Sequence, residues 1–201
     1  MARPALVPTT DSDTDSDTRS RILRAALRLF RRHGYHGVGI NQILAEAAAP
    51  KGSMYHHFPG GKEEIGAAVV VLITDSVLAL LDAQPLHIKP EKTIARVGAQ
   101  MLGTVQRNRY ELCALFASFV AEKASAAQLA RAVDKAYTHI ADRLAARLRA
   151  GGFTPARARD RALLVLMLLE GGSLIAAARD DMAPFKLALQ QAIALCRSAD
   201  T

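Results

Sequence analysis

Apolar residues recur at helical spacing along the chain from residue 19 onward, and no stretch alternates apolar and polar residues as a half-buried strand does. Ile22, Ala26, Leu29, Phe30 and His33 form the first stripe, flanked by Arg21, Arg24, Arg28, Arg31 and Arg32. Gly34 ends that helix. A second helix is predicted over 40–47, burying Ile40, Ile43 and Leu44, with Gly39 as its N-cap. A break at Ala48 and Ala49 leads to Pro50, whose fixed φ suits the first turn of a third helix. "PGG" stops that helix near Phe58. Further helices are predicted over 62–83, 91–106 and 108–123, the last with Tyr110, Leu112, Leu115, Phe116 and Phe119 broadly on one side. Ser125 and Gln128 form a capping-box pair opening a helix to about Ala150, where Gly151 and Gly152 close it. Thr154 and Pro155 open another, to about Arg179, and a final helix covers 184–197. The expected fold is all-α, about nine helices. Residues 19–64 form a three-helix helix-turn-helix domain and 65–201 a second helical domain.

Composition narrows the reading. Half of the 201 residues are apolar and only 5% aromatic, enough Leu, Ala, Ile and Val for a helical core. Residues 1–18, rich in Pro, Thr, Ser and Asp, are expected to be a disordered arm. Its "DSDTDSDT" lacks the glycine and the closing glutamate of a calcium loop. The net charge of +7 is unevenly spread. The arm has one Arg against four Asp, and 19–62 has eight basic side chains against one Glu. The basic excess therefore coincides with the helix-turn-helix, as contact with phosphates requires. Cys113 and Cys196 have no disulfide or zinc-ligand spacing and read as small core residues. No metal or cofactor is expected. The N-terminus lacks the apolar segment of a signal peptide, and the run 162–178 is short for a membrane span and contains Glu170. The expected location is the cytoplasm, with no membrane partner.

The third helix suits a reading role, because a helix enters the major groove with its N-terminal residues at the base edges. Gly52 lets the backbone come close, and Lys51 can reach a base acceptor or a phosphate. Ser53, Tyr55, His56 and His57 supply short donors that mostly set register on phosphates. Lys62, at the start of the next helix, joins its charge to the backbone N–H groups there. Each is otherwise a polar group on a small solvated helix.

Gly34 and Tyr35, then "INQILAEAAAPKGSMYHHF" and Lys62-Glu63-Glu64, resemble the TetR family of bacterial regulators. Pro50 and the segment "PGGKEE" resemble in particular its LmrA/YxaF-like branch. The resemblance is specific over about 19–66. It implies that Lys51, Gly52, Ser53, Tyr55, His56 and Lys62 take the DNA-facing positions. It also implies a C-terminal domain that binds a small molecule and dimerises through its last two long helices. Ala48 stands where most relatives have a turn glycine, so it must accept that geometry or the turn is altered. Pro50 cannot give the side-chain cap that the usual Ser gives.

Two features of the second domain fit that picture. The run 163–178 is apolar almost all round, so that helix is expected to be buried on more than one face. Gly171, Gly172 and Ala176, with Leu187 and Ile193 of the last helix, are candidates for a homodimer interface. Met101, Phe116, Phe119, Tyr137 and Met167 either line a chamber for an apolar or aromatic small-molecule effector or pack the core. Glu170 either anchors a polar group of that effector or pairs with an Arg across the dimer. The reading is a ligand-responsive repressor that binds double-stranded, pseudo-palindromic operator DNA. The alternative is an architectural or cell-cycle DNA-binding protein on the same fold without an inducer. No Ser/His/Asp, Cys/His or metal-ligand spacing favours an enzyme.

Overall fold

The computed structural model describes residues 11–107, 115–121 and 126–197, and all regular structure among them is helical. The order is α1 (Asp11–His33), α2 (Ile40–Ala47), α3 (Lys51–His57), α4 (Gly61–Asp82), α5 (Pro90–Arg107), α6 (Leu115–Val120), α7 (Ala127–Ala150), α8 (Pro155–Arg179) and α9 (Ala183–Leu195). The chain divides into two compact units, Met1–Gly66 and Ala67–Thr201.

In the first unit α1 packs on α2 and α3. Ile22, Ala26, Phe30, Ile43, Met54 and Phe58 are fully or almost fully buried, so the apolar sides of α1, α2 and α3 close on one core. The turns follow from local chemistry. Gly34 takes a positive φ of 67° and its N–H reaches the Phe30 carbonyl at 2.9 Å, ending α1. The Gln42 side chain accepts the Gly39 N–H at 2.7 Å, half of a capping box, so α2 starts without a capping hydroxyl. At the end of α2, Ala48 sits in the left-handed region (φ 48°, ψ 44°). Its N–H bonds Ala45 O at 3.2 Å and that of Ala49 bonds Leu44 O at 3.0 Å. This is the Schellman pattern with alanine at the position that glycine usually fills. Ala48 thus accepts the turn geometry rather than altering it.

Helix α1 begins at Asp11, so residues 11–18 of the stretch expected to be a disordered arm are helical. Within this stretch the Asp17 carboxylate pairs with Arg21 at 3.7 Å and Arg24 at 3.8 Å, one and two turns on. Carboxylates near a helix N-terminus also meet the positive end of its dipole.

In the second unit α8 packs on α7 and α9, and α5 lies on α9. Close approach is set by small residues. A Cβ at Gly98 would lie 2.2 Å from a Leu189 methyl, and one at Gly172 2.5 Å from the Ala188 methyl. Thr154 caps α8, accepting the Arg157 N–H at 3.4 Å, with Pro155 in the first turn as expected. Asp180 closes α8 in a second left-handed Schellman turn. The Arg143 guanidinium pairs with Asp82, and Arg147 donates to the Leu81 carbonyl, tying α7 to the end of α4. Helix α7 differs from expectation in being preceded by Ala126, with no side-chain cap. Ser125, Tyr110, Leu112 and Cys113 lie outside the described residues.

Candidate nucleic-acid interface

Helix α3 is seven residues long and held by two buried side chains, Met54 within it and Phe58 at its end. Their burial turns the opposite face outward. Lys51, Gly52, Tyr55 and His56 are exposed, with Tyr55 46% accessible, while Ser53 and His57 are half-buried. His57 lies edge-on to His56 and Phe58, with ring centroids at 5.3 and 6.4 Å, so it sits nearer the base of the helix than its outer face. Nothing lies within 4 Å of a Cβ placed on Gly52. The fold does not require glycine there; a partner approaching the bare backbone would. Pro50 precedes the helix in extended conformation without a side-chain cap, so the first N–H groups of α3 gain no acceptor from it.

Lys62 stands in the first turn of α4, half-buried, with its ammonium 4.3 Å from the centroid of the Tyr35 ring. The Glu64 carboxylate accepts the Gly60 N–H at 2.8 Å, fixing the loop between α3 and α4. Lys51, Gly52, Tyr55 and His56 can meet a groove, and Lys62 offers a cation from a second helix. Four further contacts were not anticipated from the sequence. Arg28 pairs with Glu46 at 2.9 Å, joining α1 to α2. The Arg19 guanidinium lies 5.2 Å from the Phe58 ring centroid, bringing the early part of α1 beside the end of α3. Asp17 holds Arg21 and Arg24. The crowding of arginine before "FRRHGY" signalled the basic surface, but not which side chains the protein itself engages.

The candidates in the second unit separate into groups. Phe116 and Tyr137 meet edge to face at 5.5 Å and 78°, and Tyr137 is hydrogen-bonded to Glu170. Burial pushes both acids up from their ordinary pKa values, and the Glu170 charge raises that of Tyr137 further. Phe116, Tyr137 and Glu170 therefore form one aromatic and acidic cluster across α6, α7 and α8. Phe119 is fully buried, and Met101 packs half-buried against the main core. Met167 needs correction as a chamber-lining residue: it is 60% exposed, on the outer face of α8.

The proposed interface residues divide in the same way. Gly172 and Ala176 are buried within the chain, Gly172 directly against α9, so their small size serves intrachain packing rather than an outward face. Ile193 is half-buried against the same core. Gly171 has open space beside it, and Leu187 is 58% exposed. The expectation that α8 is buried on more than one face does not hold within one chain. Leu163, Leu164, Met167, Leu174 and Ile175 remain exposed, and Leu163, Met167 and Leu174 follow one another at spacings of four and seven residues along one side. The i, i+4 recurrence of large apolar residues was the signal for this stripe, hidden because the buried side of α8 is apolar too.

Residues 22–69 match the family model for bacterial regulatory proteins of the tetR family, and residues 90–191 match that of the LmrA/YxaF-like transcriptional regulator C-terminal domain. The chain is 32% identical over 171 residues to the HTH-type transcriptional regulator LmrA of Bacillus subtilis, covering 84% of this chain and 90% of that protein. It is 30% identical over 186 residues to the HTH-type regulator YxaF of the same organism, covering 90% and 96%. A TetR transcriptional regulator from Legionella pneumophila shares the fold, with a TM-score of 0.76 at 21% identity, covering 96% of this chain and all of that one.

Proposed function

The chain belongs to the TetR family of bacterial transcriptional regulators, in its LmrA/YxaF-like branch, and from that premise we propose that it is a homodimeric repressor released from its operator by a small molecule. The observation that carries the DNA-binding part is the outer face of α3. Lys51, Gly52, Tyr55 and His56 are exposed on a short helix anchored by Met54 and Phe58, with an open backbone at its second residue. Lys51 and Lys62 supply charge for phosphates, and Tyr55 and His56 supply donors.

The exposed apolar stripe on α8, with Leu187 also exposed on α9, supports self-association, since large exposed apolar patches mark contact surfaces. A two-fold pair of reading helices implies a pseudo-palindromic operator. The Phe116, Tyr137 and Glu170 cluster supports an aromatic effector with a polar group. Such a ligand acts by binding one conformation more tightly than the other, shifting the population away from the DNA-binding form. The cytoplasm is the place of action on this reading.

The test is a titration of the protein against duplex DNA from its own upstream region, with Lys51→Ala and Tyr55→Ala as controls. Tight binding of that duplex, weakened by both substitutions, is expected. Equal and equally salt-sensitive affinity for any duplex would refute sequence-specific regulation.

A further inference from the structure

We propose that Arg19 is a further DNA-binding residue, one that grips a backbone phosphate beside the end of α3. The residue is exposed and lies in the first half of α1, away in sequence from the other candidates for DNA contact. Its guanidinium nevertheless stands 5.2 Å from the centroid of the Phe58 ring, inside the range of a cation–π contact. Phe58 closes α3 and is fully buried, so the ring is a fixed platform. A cation of one helix is thereby carried to the end of another, the helix that presents Lys51 and Tyr55.

The neighbouring arginines of α1 are engaged by carboxylates. Asp17 pairs with Arg21 at 3.7 Å and with Arg24 at 3.8 Å, and Glu46 pairs with Arg28 at 2.9 Å. Among the described residues Arg19 has no carboxylate within ion-pair distance. A phosphate must displace a carboxylate to take up any of those three, but not to take up Arg19. Arginine also suits both contacts at once. Its flat face packs on an aromatic ring, while the N–H donors at its edge match a phosphate. The dimensions agree: the seven residues of α3 span about 10 Å, against a major groove about 12 Å wide. A cation beside the end of that helix therefore meets the phosphates that edge the groove. Such a contact carries no base information and strengthens binding to any duplex.

The inference rests on the DNA-binding reading above. It is tested on the full-length chain by fluorescence anisotropy over a series of salt concentrations, with duplex from its own upstream region and an unrelated duplex. Arg19→Met keeps an apolar cover on Phe58 and removes the charge, whereas Arg19→Lys keeps the charge. Arg19→Met should weaken binding of both duplexes by a similar factor, roughly three- to tenfold, and reduce the slope of log affinity against log salt by about 1. Arg19→Lys should retain the parent slope. An unchanged slope in Arg19→Met would overturn the proposal even if affinity falls, because lost packing on Phe58 does not alter the number of phosphates neutralised. So would a slope that Arg19→Lys fails to keep.

Duplexes carrying one neutral methylphosphonate linkage at a time locate the contact. At the phosphate that Arg19 grips, neutralisation should weaken binding by the parent and change nothing further in Arg19→Met. A complete scan with no such position would overturn the proposal. Should Arg19→Met fail to fold, Arg19→Gln takes its place in both measurements with the same expected results. Loss of binding by Lys51→Ala and Tyr55→Ala together with an unchanged Arg19→Met removes the phosphate contact but leaves the DNA-binding reading standing. Indifference to all three positions removes both.

Discussion

A methyl group added to Gly52 meets no atom of this chain within 4 Å, on a residue whose backbone is already helical. Gly52→Ala therefore pits the needs of the fold against those of the partner. In a helix interior alanine is favoured over glycine by about 1 kcal/mol. Position 52 is the second residue of a seven-residue helix, so about half of that, roughly 0.5 kcal/mol, is the expected gain in stability. For a chain of this length the melting temperature should rise by about 1–2 °C. On DNA the same methyl occupies the space through which the backbone is read as approaching the groove. Holding the helix away lengthens the contacts of Lys51 and Tyr55, and the loss of one good base or phosphate contact is worth about 1–3 kcal/mol. Affinity should fall by about tenfold or more. Thermal unfolding followed by circular dichroism and anisotropy titration on one preparation measure both effects. A variant that binds DNA as the parent does would refute close approach at position 52. A lowered melting temperature would refute the claim that the fold leaves that space open.

Ala48→Gly should stabilise the protein by about 0.5–1 kcal/mol, the left-handed strain of about 1–2 kcal/mol being only partly offset by glycine's added freedom in the unfolded chain; chemical denaturation measures it, and a loss of stability would show that the turn gains nothing from glycine. Ile175→Glu and Leu174→Glu should leave helical content intact and shift the sedimentation coefficient to that of a monomer, since both side chains are about half exposed on the stripe. In a Cys113→Ser background, Cys196 should resist alkylation at pH 8 until the protein unfolds, because burial pushes its thiol up to about 12. Glu170 has a folded pKa raised above its unfolded one, so the folded state holds the extra proton between the two values. Stability should therefore fall as pH rises from the ordinary carboxylate range through the raised pKa, and Glu170→Gln should flatten that dependence in melting curves.

Much of the first unit was legible because its signals are local. Gly34, Gly39, Pro50 and "PGG" each act on the backbone within a turn, so the helices they delimit follow from the residues themselves. The exposed side of α3 followed in turn, because burying Met54 and Phe58 leaves only one direction for Lys51 and Tyr55. Interactions across the unit were not legible. The contact between Tyr35 and Lys62 and the pair between Arg28 and Glu46 depend on how three helices cross, which no spacing along the chain encodes. The start of α1 was misjudged because a Pro, Ser and Asp composition argues for disorder, while Asp17 among arginines at helical spacing argues for helix.

Helix α8 shows why an apolar sequence is ambiguous on its own. By length and composition both α4 and α8 could cross a membrane. For α8 the uncharged portion argues otherwise: residues 162–178, interrupted by Glu170, span about 25 Å of helix against about 30 Å of hydrocarbon. Its two sides also differ in kind. The buried side holds Ala158, Ala162, Val165, Gly172, Ser173 and Ala176, with Gly172 directly against Ala188 of α9 and Leu166, Leu168 and Leu169 half-buried on the same core. The exposed side is built of Leu163, Met167, Leu174 and Ile175, large enough to reach a surface that the single chain does not supply. Large apolar residues left exposed on a helix whose other side already packs within the chain suit a contact surface. On the proposed self-association a second copy of α8 and α9 would supply the matching apolar surface, which the glutamate substitutions at 174 and 175 test.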